Sequence, residues 1–346
     1  MYEKPLGYAV FELTNRCNLR CPFCASASGI PRENEMPTAR WLEIIDEMAS
    51  LGGKEVTLIG GEIFLFDDWE IVAQRIKASG MDLVVITNGL LVDDVTFKKL
   101  MDLNVSVMGI SIDGPDRDSY KETRGVDGFD YAWNLANRFK NEGLEYVNVI
   151  TTLTSVNYHR IDDFADLMRN TDMTWQVQIA SAGGERHTDD LAFTVAMYEE
   201  VYNKLSYLIK NDPDLKLGTM DDFGYFPLDC DLQALHSDWK GCQGGKQLIG
   251  IRANGDLLPC LSMGSNFVVA NLNEIALSTA WTCDETFRQF REKHLHLEGF
   301  CRTCPVSSAC KAGCSAMAWT TTGSIYSNDY CIRKIQSLNL IRDLDL

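Results

Sequence analysis

The chain has 346 residues, 45% hydrophobic and 23% charged, ordinary values for a globular protein with room for one large α/β domain and a smaller one. A formal charge of −17 argues against nucleic acid and against anionic membrane surfaces as partners, because phosphate contacts need lysine and arginine in excess. No apolar run approaches the roughly 18 residues that span a bilayer, and the start Met1-Tyr2-Glu3-Lys4-Pro5 lacks the basic and apolar stretches of a secretory signal, so the expected location is cytoplasmic.

In chain order, Gly7 to Thr14 (GYAVFELT) reads as an apolar first strand. A helix over Thr38–Leu51 places Trp41, Ile44, Ile45 and Met48 on one face. Strand Glu55–Ile59, helix Asp68–Ser79, strand Leu83–Thr87 and helix Asp93–Leu103 follow. Next come strand Val105–Ile112, helix Phe129–Glu142, strand Tyr146–Thr154 and helix Ile161–Asn170. Strand Trp175–Ile179 and a long helix, Thr194–Lys210, complete the series. Six β-then-α units predict a parallel sheet with helices outside. Six falls short of the eight that close a full barrel, so a partial (β/α)6 TIM-like barrel is expected over 1–211. From about Pro213 the alternation is lost, and Asp, Gly, Pro and Cys punctuate short segments. Residues 212–231 read as a bridge and 232–346 as a small cysteine-rich, metal-held domain.

Twelve cysteines in a reducing compartment point to metal rather than to a disulfide framework. Three lie at 17–24, none follows until Cys230, and nine fall between 230 and 331, so two separate metal-binding regions flank a cysteine-free body. The first region is Cys17-Asn18-Leu19-Arg20-Cys21-Pro22-Phe23-Cys24, in which one short loop can aim three sulfurs at one point. Three thiolates on a four-iron cluster leave one iron open for a substrate or cofactor, whereas a pure electron carrier is usually closed by a fourth cysteine. A zinc loop is the alternative, but zinc prefers four ligands, often as paired C-x2-C units.

Glycines and polar residues stand at the expected C-terminal ends of the next strands, where sites form in parallel βα architectures. Gly60-Gly61-Glu62 follow the second strand, Thr87-Asn88-Gly89 end the third, and Ser111 and Asp113 end the fourth. Each alone reads as an ordinary turn; on consecutive strands they point to one shared pocket. Thr152 and Gln178, on the fifth and sixth strands, fit either that pocket or the core. The five histidines show no ligand spacing and read as structural, while Trp41, Tyr198 and Tyr202 read as core.

The cysteine run and these strand-end motifs, over roughly residues 7–180, resemble the radical S-adenosylmethionine (radical SAM) enzymes. The resemblance implies that Cys17, Cys21 and Cys24 bind a [4Fe–4S] cluster whose open iron is chelated by the methionyl end of S-adenosylmethionine. It implies that Phe23 lies against the adenine, that Gly60, Gly61 and Glu62 hold the methionyl amino group, and that Asn88 belongs to the same cofactor pocket. Ser111 and Asp113 would bond ribose or carboxylate. Arg124 would pair with the cofactor carboxylate, which suits a guanidinium; the residue alone reads equally as a solvated surface arginine. Many peptide-modifying members carry Tyr-Cys-Tyr at the third cysteine, where this chain has Phe23-Cys24-Ala25.

The second region runs Cys242-x12-Gly255-x4-Cys260, then Cys301-x2-Cys304-x5-Cys310-x3-Cys314, then Cys331. It resembles the SPASM domain, a C-terminal extension of radical SAM enzymes carrying two auxiliary [4Fe–4S] clusters. The resemblance gives Cys301, Cys304, Cys310 and Cys331 to a distal cluster and Cys242, Cys260 and Cys314 to a proximal one. The fourth proximal ligand is then Cys230, Cys283 or an open iron. Cys230 is favoured because an exposed labile iron invites oxidative loss; Cys283, in the helix-like stretch Trp281–Glu285, reads as a packed thiol.

The resemblance implies an enzyme with S-adenosylmethionine and three [4Fe–4S] clusters as cofactors. It forms a 5′-deoxyadenosyl radical that abstracts hydrogen from a peptide, in maturation of a ribosomally made precursor by cross-linking, epimerisation or backbone excision. With the first strand near Gly7, no N-terminal leader-recognition domain fits, so a separate leader-recognition protein is expected beside the precursor peptide and a low-potential electron donor (flavodoxin or ferredoxin). The alternatives are radical oxidation of a small molecule such as a sugar, alcohol or tetrapyrrole side chain, sulfatase-type maturation of a protein side chain, and a non-enzymatic electron carrier.

Overall fold

A computed structural model describes residues 2–181, 185–186, 188–220, 223, 225–236 and 239–344. In the first half, strands and helices alternate as β1 (Tyr8–Glu12), α1 (Thr38–Ser50), β2 (Glu55–Ile59), α2 (Trp69–Ala78), β3 (Asp82–Thr87), α3 (Asp94–Asp102) and β4 (Val107–Ser111). Then follow α4 (Arg117–Arg124), α5 (Phe129–Asn141), β5 (Val147–Leu153), α6 (Ile161–Met168), β6 (Thr174–Ile179), α7 (Val195–Asn211) and β7 (Leu217–Thr219). Strands β1 to β7 lie side by side in sequence order, every pair parallel. Such a sheet needs helices on its outer face, because parallel strands joined by helical crossovers are buried. The stripe Trp41, Ile44, Ile45 and Met48 of α1 is buried accordingly. Trp41 sits 5.0 Å, centroid to centroid, from Phe11 of β1.

The helix α4 was not among the elements predicted from sequence. Its segment reads as polar, yet it is closed by a capping box in which Asp116 accepts from the Ser119 backbone N–H and the Ser119 hydroxyl faces back to the Asp116 N–H. Gly125, in the left-handed region at φ +78°, ends it. The stretch 212–231, read from sequence as a bridge, supplies β7.

The sheet also runs on in the opposite direction. β8 (Leu248–Ile251) pairs in parallel with β1, and β9 (Asp256–Leu258) and β10 (Ala270–Asn271) extend it antiparallel. The cysteine-rich half thus grows from the edge of the barrel sheet, with α8 (Leu277–Thr282), α9 (Arg288–Arg291), α10 (Gly299–Thr303), α11 (Ser307–Cys310), α12 (Ser315–Thr322) and α13 (Ile332–Asp343) behind it. The α8 segment docks on α1, where Glu47 accepts from both the backbone N–H and the hydroxyl of Ser278. Trp281 donates to the Lys4 carbonyl and meets Tyr2 edge to face. On the other side Tyr330, just before α13, stacks on Tyr198 of α7 at 5.1 Å.

Cys283 is exposed, not packed: α8 ends at Thr282, and Cys283 turns out of the helix with its carbonyl accepting from Arg291. His187 lies outside the described residues. No helix among the described residues is long and apolar enough to cross a membrane. Because Trp41 is fully buried between α1 and β1, Trp41→Ala is expected to destabilise the protein by about 3–5 kcal/mol, read as a lower urea midpoint of the cofactor-free chain.

Candidate active site and auxiliary cysteine sites

The C-terminal end of β1 carries a buried carboxylate, Glu12, and this residue anchors the first cysteine loop. Arg32, at the far end of that loop, donates to Glu12 through Nε at 2.5 Å and Nη2 at 3.0 Å, and the Ala253 N–H donates to the same carboxylate at 3.2 Å. Glu35 accepts from the Thr14 hydroxyl and from the backbone N–H groups of Asn15 and Arg32. Buried Asn15 accepts from the Ser28 hydroxyl and donates to the Ile30 carbonyl. The loop is therefore closed on itself by polar groups that burial obliges to pair.

Within this frame Cys17, Cys21 and Cys24 share one electrostatic environment. Burial pushes the Cys17 thiol up to about 11, with Glu62, Cys21 and Cys24 adding to the effect and the Leu19 N–H opposing it. Cys21 is likewise raised, first by burial, with Arg124 opposing. The Leu19 N–H points at Cys17 Sγ and the Ser28 N–H at Cys24 Sγ, each at 3.4 Å. Backbone N–H groups aimed at sulfur are what an iron–sulfur site uses to stabilise its thiolates. The donor set fits such a cluster: three free thiols on one short loop, two of them raised by burial, amides directed at two of them, and no disulfide among the twelve cysteines. Phe23 is buried against Ala180 at the end of β6 and Leu191 beyond it, with Cys21 and Val156 alongside. The loop thereby reaches across the barrel mouth.

The second strand end abuts this loop from below. A Cβ on Gly61 would meet the Arg16 carbonyl well inside van der Waals contact, and one on Gly60 would lie 2.8 Å from the Thr14 carbonyl. Only glycine permits that approach. Glu62 is buried and accepts from the Thr87 hydroxyl at 2.5 Å and the Asn88 N–H at 2.9 Å. Burial pushes its carboxyl up to about 7 against those hydrogen bonds. Asn88 donates to Asn18 in the cysteine loop at 2.8 Å, so the ends of β2 and β3 and the loop are joined.

On the far side, Asp113 is fully buried and accepts from Arg124 Nε at 2.6 Å and the Thr152 N–H at 2.6 Å. Gln178 donates to the Thr152 hydroxyl at 3.0 Å, carrying the network to β6. Arg124 is buried, which removes the solvated-surface reading. Burial disfavours its charge, but Asp113 and Cys21 more than compensate and hold it above the usual arginine range. Ser111 is half-buried at the end of β4. Glu62, Asn88 and Asp113 from the strand ends and Arg124 from α4 thus gather about the cysteine loop, which itself carries Phe23.

Sequence reasoning missed three groups. Glu12 was legible as a charge inside an apolar strand. Asn157, which donates to the carbonyls of Asp113 and Thr152, had no signal. Arg186 donates to the carbonyls of Cys21, Ala27 and Ser28, and its own N–H donates to the Cys24 carbonyl, clamping the loop from beyond β6.

In the C-terminal half, burial pushes Cys310 up to about 12, with Cys331 and Cys301 adding to it. Cys331, capping α13, is raised to about 11 by burial, with Cys301 and Cys304 contributing. Cys301, Cys304, Cys310 and Cys331 therefore lie within electrostatic reach of one another. Cys242 lies in a loop bounded by two close approaches, Gly241 against the Lys311 side chain and Gly244 against Pro259. That places it between Pro259, which precedes Cys260, and Lys311, which follows Cys310. Between Cys310 and Cys314, Lys311, Ala312 and Gly313 are all left-handed at φ +53°, +59° and +61°. For the two non-glycines this costs about 1–2 kcal/mol each, a strain that surrounding contacts must hold. Trp239 donates to the Cys310 carbonyl, Tyr225 stacks on Trp239 at 3.9 Å, and the Cys314 N–H donates to the Tyr225 hydroxyl. Cys230 is exposed, on a loop where Leu228 and Asp229 donate to Gln336 and the Asp231 carbonyl accepts from Lys210.

Residues 11–168 match the radical SAM superfamily, and residues 242–305 match SPASM, an iron–sulfur cluster-binding domain. The two domains imply S-adenosylmethionine and iron–sulfur clusters as cofactors. The chain is 28% identical to mycofactocin maturase MftC of Mycolicibacterium smegmatis over 90% of its own length and 78% of that protein. It is 26% identical to the AdoMet-dependent heme synthase of Methanosarcina barkeri over 93% of its length and 95% of that protein. Its fold resembles that of Streptococcus suis SuiB bound to the precursor peptide SuiA, with TM-score 0.74 and 19% identity, over 96% of this chain and 76% of SuiB.

Gly61→Ala is expected to push the β2 turn off the Arg16 carbonyl and to open the cysteine loop. The measurement is limited proteolysis between residues 15 and 35, where the variant should be cut faster than the parent.

Proposed function

From its membership of the radical SAM superfamily, with a SPASM domain joined to the barrel sheet, we propose that this enzyme forms a 5′-deoxyadenosyl radical to abstract hydrogen from a peptide substrate, maturing a ribosomally synthesised peptide by cross-linking, epimerisation or backbone excision. The observation that carries this reading is the buried ring of Glu62, Asn88, Asp113 and Arg124 around a loop of three clustered thiols, in a chain with a second cysteine region. Similarity to a protein named as a mycofactocin maturase, and to the fold of one bound to a precursor peptide, supports the peptide as substrate class.

In this reading Cys17, Cys21 and Cys24 hold a [4Fe–4S] cluster, and its open corner takes S-adenosylmethionine. When bound, cluster and cofactor together supply the 5′-deoxyadenosyl radical. Glu62, fixed by Thr87 and Asn88, receives the methionyl amino group beside the bare backbone of Gly60 and Gly61. Phe23 offers its face to the adenine. Asp113 and Ser111 meet ribose or carboxylate, and Arg124 holds Asp113 while setting positive charge next to the cofactor's carboxylate. Phe23, Ala180 and Leu191 keep water from the loop. Two further [4Fe–4S] clusters sit on the C-terminal cysteines, Cys301, Cys304, Cys310 and Cys331 on one, Cys242, Cys260 and Cys314 on the other with Cys230 as its fourth ligand. A separate leader-recognition protein and a flavodoxin or ferredoxin complete the system.

A second reading, radical oxidation of a small molecule, is favoured by the AdoMet-dependent heme synthase that the chain matches over 95% of that protein's length. Anaerobic protein given reductant and S-adenosylmethionine should yield 5′-deoxyadenosine, and Cys24→Ala should abolish it; no product from the parent would defeat both readings. Mass spectrometry after co-expression with a neighbouring precursor peptide, against incubation with a carboxylated tetrapyrrole, separates them by which substrate changes, read as lost mass or, for epimerisation, as deuterium taken up when the reaction is run in heavy water. Cys230→Ala is expected to lower iron per chain and alter the proximal cluster's EPR spectrum, and an unchanged spectrum would remove Cys230 from the ligand set.

A further inference from the structure

Lysine is rarely buried without a charged partner, yet Lys293 is 1% exposed. It opens the turn Lys293–Leu295 after α9, while its neighbours His294 and Leu295 face solvent. Its Nζ donates to the Gly313 carbonyl at 3.0 Å, to Ser315 Oγ at 3.1 Å and to the Ala312 carbonyl at 3.5 Å. Among the described residues no carboxylate pairs with it. Carbonyls and a hydroxyl supply hydrogen bonds to a buried ammonium but no net negative charge, and burial without compensation disfavours the cation.

The compensation lies in the cysteines once they are thiolates on the two proposed clusters. The strap that Lys293 grips, 311–313, is the left-handed segment linking Cys310 of one group to Cys314 of the other. Burial pulls the Lys293 ammonium below the usual lysine range, while Cys242 and Cys314 on one side and Cys310 and Cys301 on the other pull it back up. Both cysteine groups thus face one buried cation. Lys246 differs: it is half-buried, and the sulfur within its electrostatic reach is Cys242.

We propose that Lys293 is a positioning residue whose ammonium, held on the strap between the two auxiliary cysteine groups, is a fixed positive charge that raises the reduction potential of both auxiliary clusters. This rests on the two-cluster assignment above. A cluster gains one negative charge on reduction, and a cation nearby in a low-dielectric interior stabilises that reduced form more than the oxidised one. The shorter hydrogen bonds, to Gly313 and Ser315, set the charge beside Cys314, so the effect reaches both groups and is larger on the one holding Cys242 and Cys314. In a chain of net charge −17, a cation at this point also offsets the repulsion between two anionic clusters.

The test is an EPR-monitored redox titration of anaerobically reconstituted full-length protein, with iron and sulfide counted for each sample. Lys293→Gln keeps N–H donors for the strap and removes the charge, whereas Lys293→Arg keeps the charge. With parent iron content, Lys293→Gln should lower the reduced-to-oxidised ratio of both auxiliary clusters at least tenfold at a fixed potential, which for a one-electron couple is about 59 mV. Lys293→Arg should stay near the parent, and Lys246→Gln should move the proximal signal alone. A fully loaded Lys293→Gln with unchanged potentials overturns the proposal. Should Lys293→Gln take up no auxiliary iron, Lys293→Arg decides, with parental potentials supporting the charge and lowered ones overturning it. A parent protein lacking two auxiliary clusters by iron count would instead bring down the two-cluster assignment itself.

Discussion

A carboxylate inside a parallel sheet has to be met by donors, since an ionised group without partners cannot remain there. Glu12 is met by Arg32 from the cysteine loop and by the Ala253 amide just beyond β8. One buried residue therefore ties the first barrel strand, the loop bearing Cys17, Cys21 and Cys24, and the entry to the cysteine-rich half. Arg32 also reaches Glu185, which pairs with Arg252 and accepts from Ser265. The adjacent Arg186 closes on the carbonyls of the cysteine loop. Removing Glu12 would leave the half-buried Arg32 guanidinium with only its longer contact to Glu185, where the loop must be most rigid.

Charge in this chain is unevenly placed, and the placement follows the sulfurs. The molecule is strongly acidic, yet Arg124 faces Cys21, and Lys293, Lys246 and Lys311 gather near the C-terminal cysteines. Thiolates and the clusters proposed for them are anionic, so cations there lower the electrostatic cost of assembling them. The buried carboxylates Glu62 and Asp113 are held by hydrogen bonds from strand-end hydroxyl, amide and guanidinium groups. A site held this way is rigid before any ligand arrives, which is how binding residues keep their geometry.

Much of the barrel was legible because its physics is local. The interval of Trp41, Ile44, Ile45 and Met48 sets the buried face of α1 whatever it packs against, and β2 is the continuous β-rich run Glu55–Ile59. α4 escaped notice because its stability comes from a capping box and a terminal glycine rather than from an apolar stripe. Arg124 was ambiguous for the same reason. A polar helix gives no periodic sign of which side is buried, and only the approach of Asp113 from β4 decides it.

The amino-acid sequence by itself determined the alternation of strands and helices, the two cysteine regions and the glycines beside them, since spacing and composition suffice to carry those signals. Only the tertiary structure decided that β8 completes the barrel edge beside β1, that Arg186 reaches back to the first loop, and that Lys293 grips the strap between Cys310 and Cys314. Each of these joins residues tens to hundreds of positions apart. Such contacts follow from how layers stack and which polar groups burial forces to pair, and no short stretch of chain encodes that.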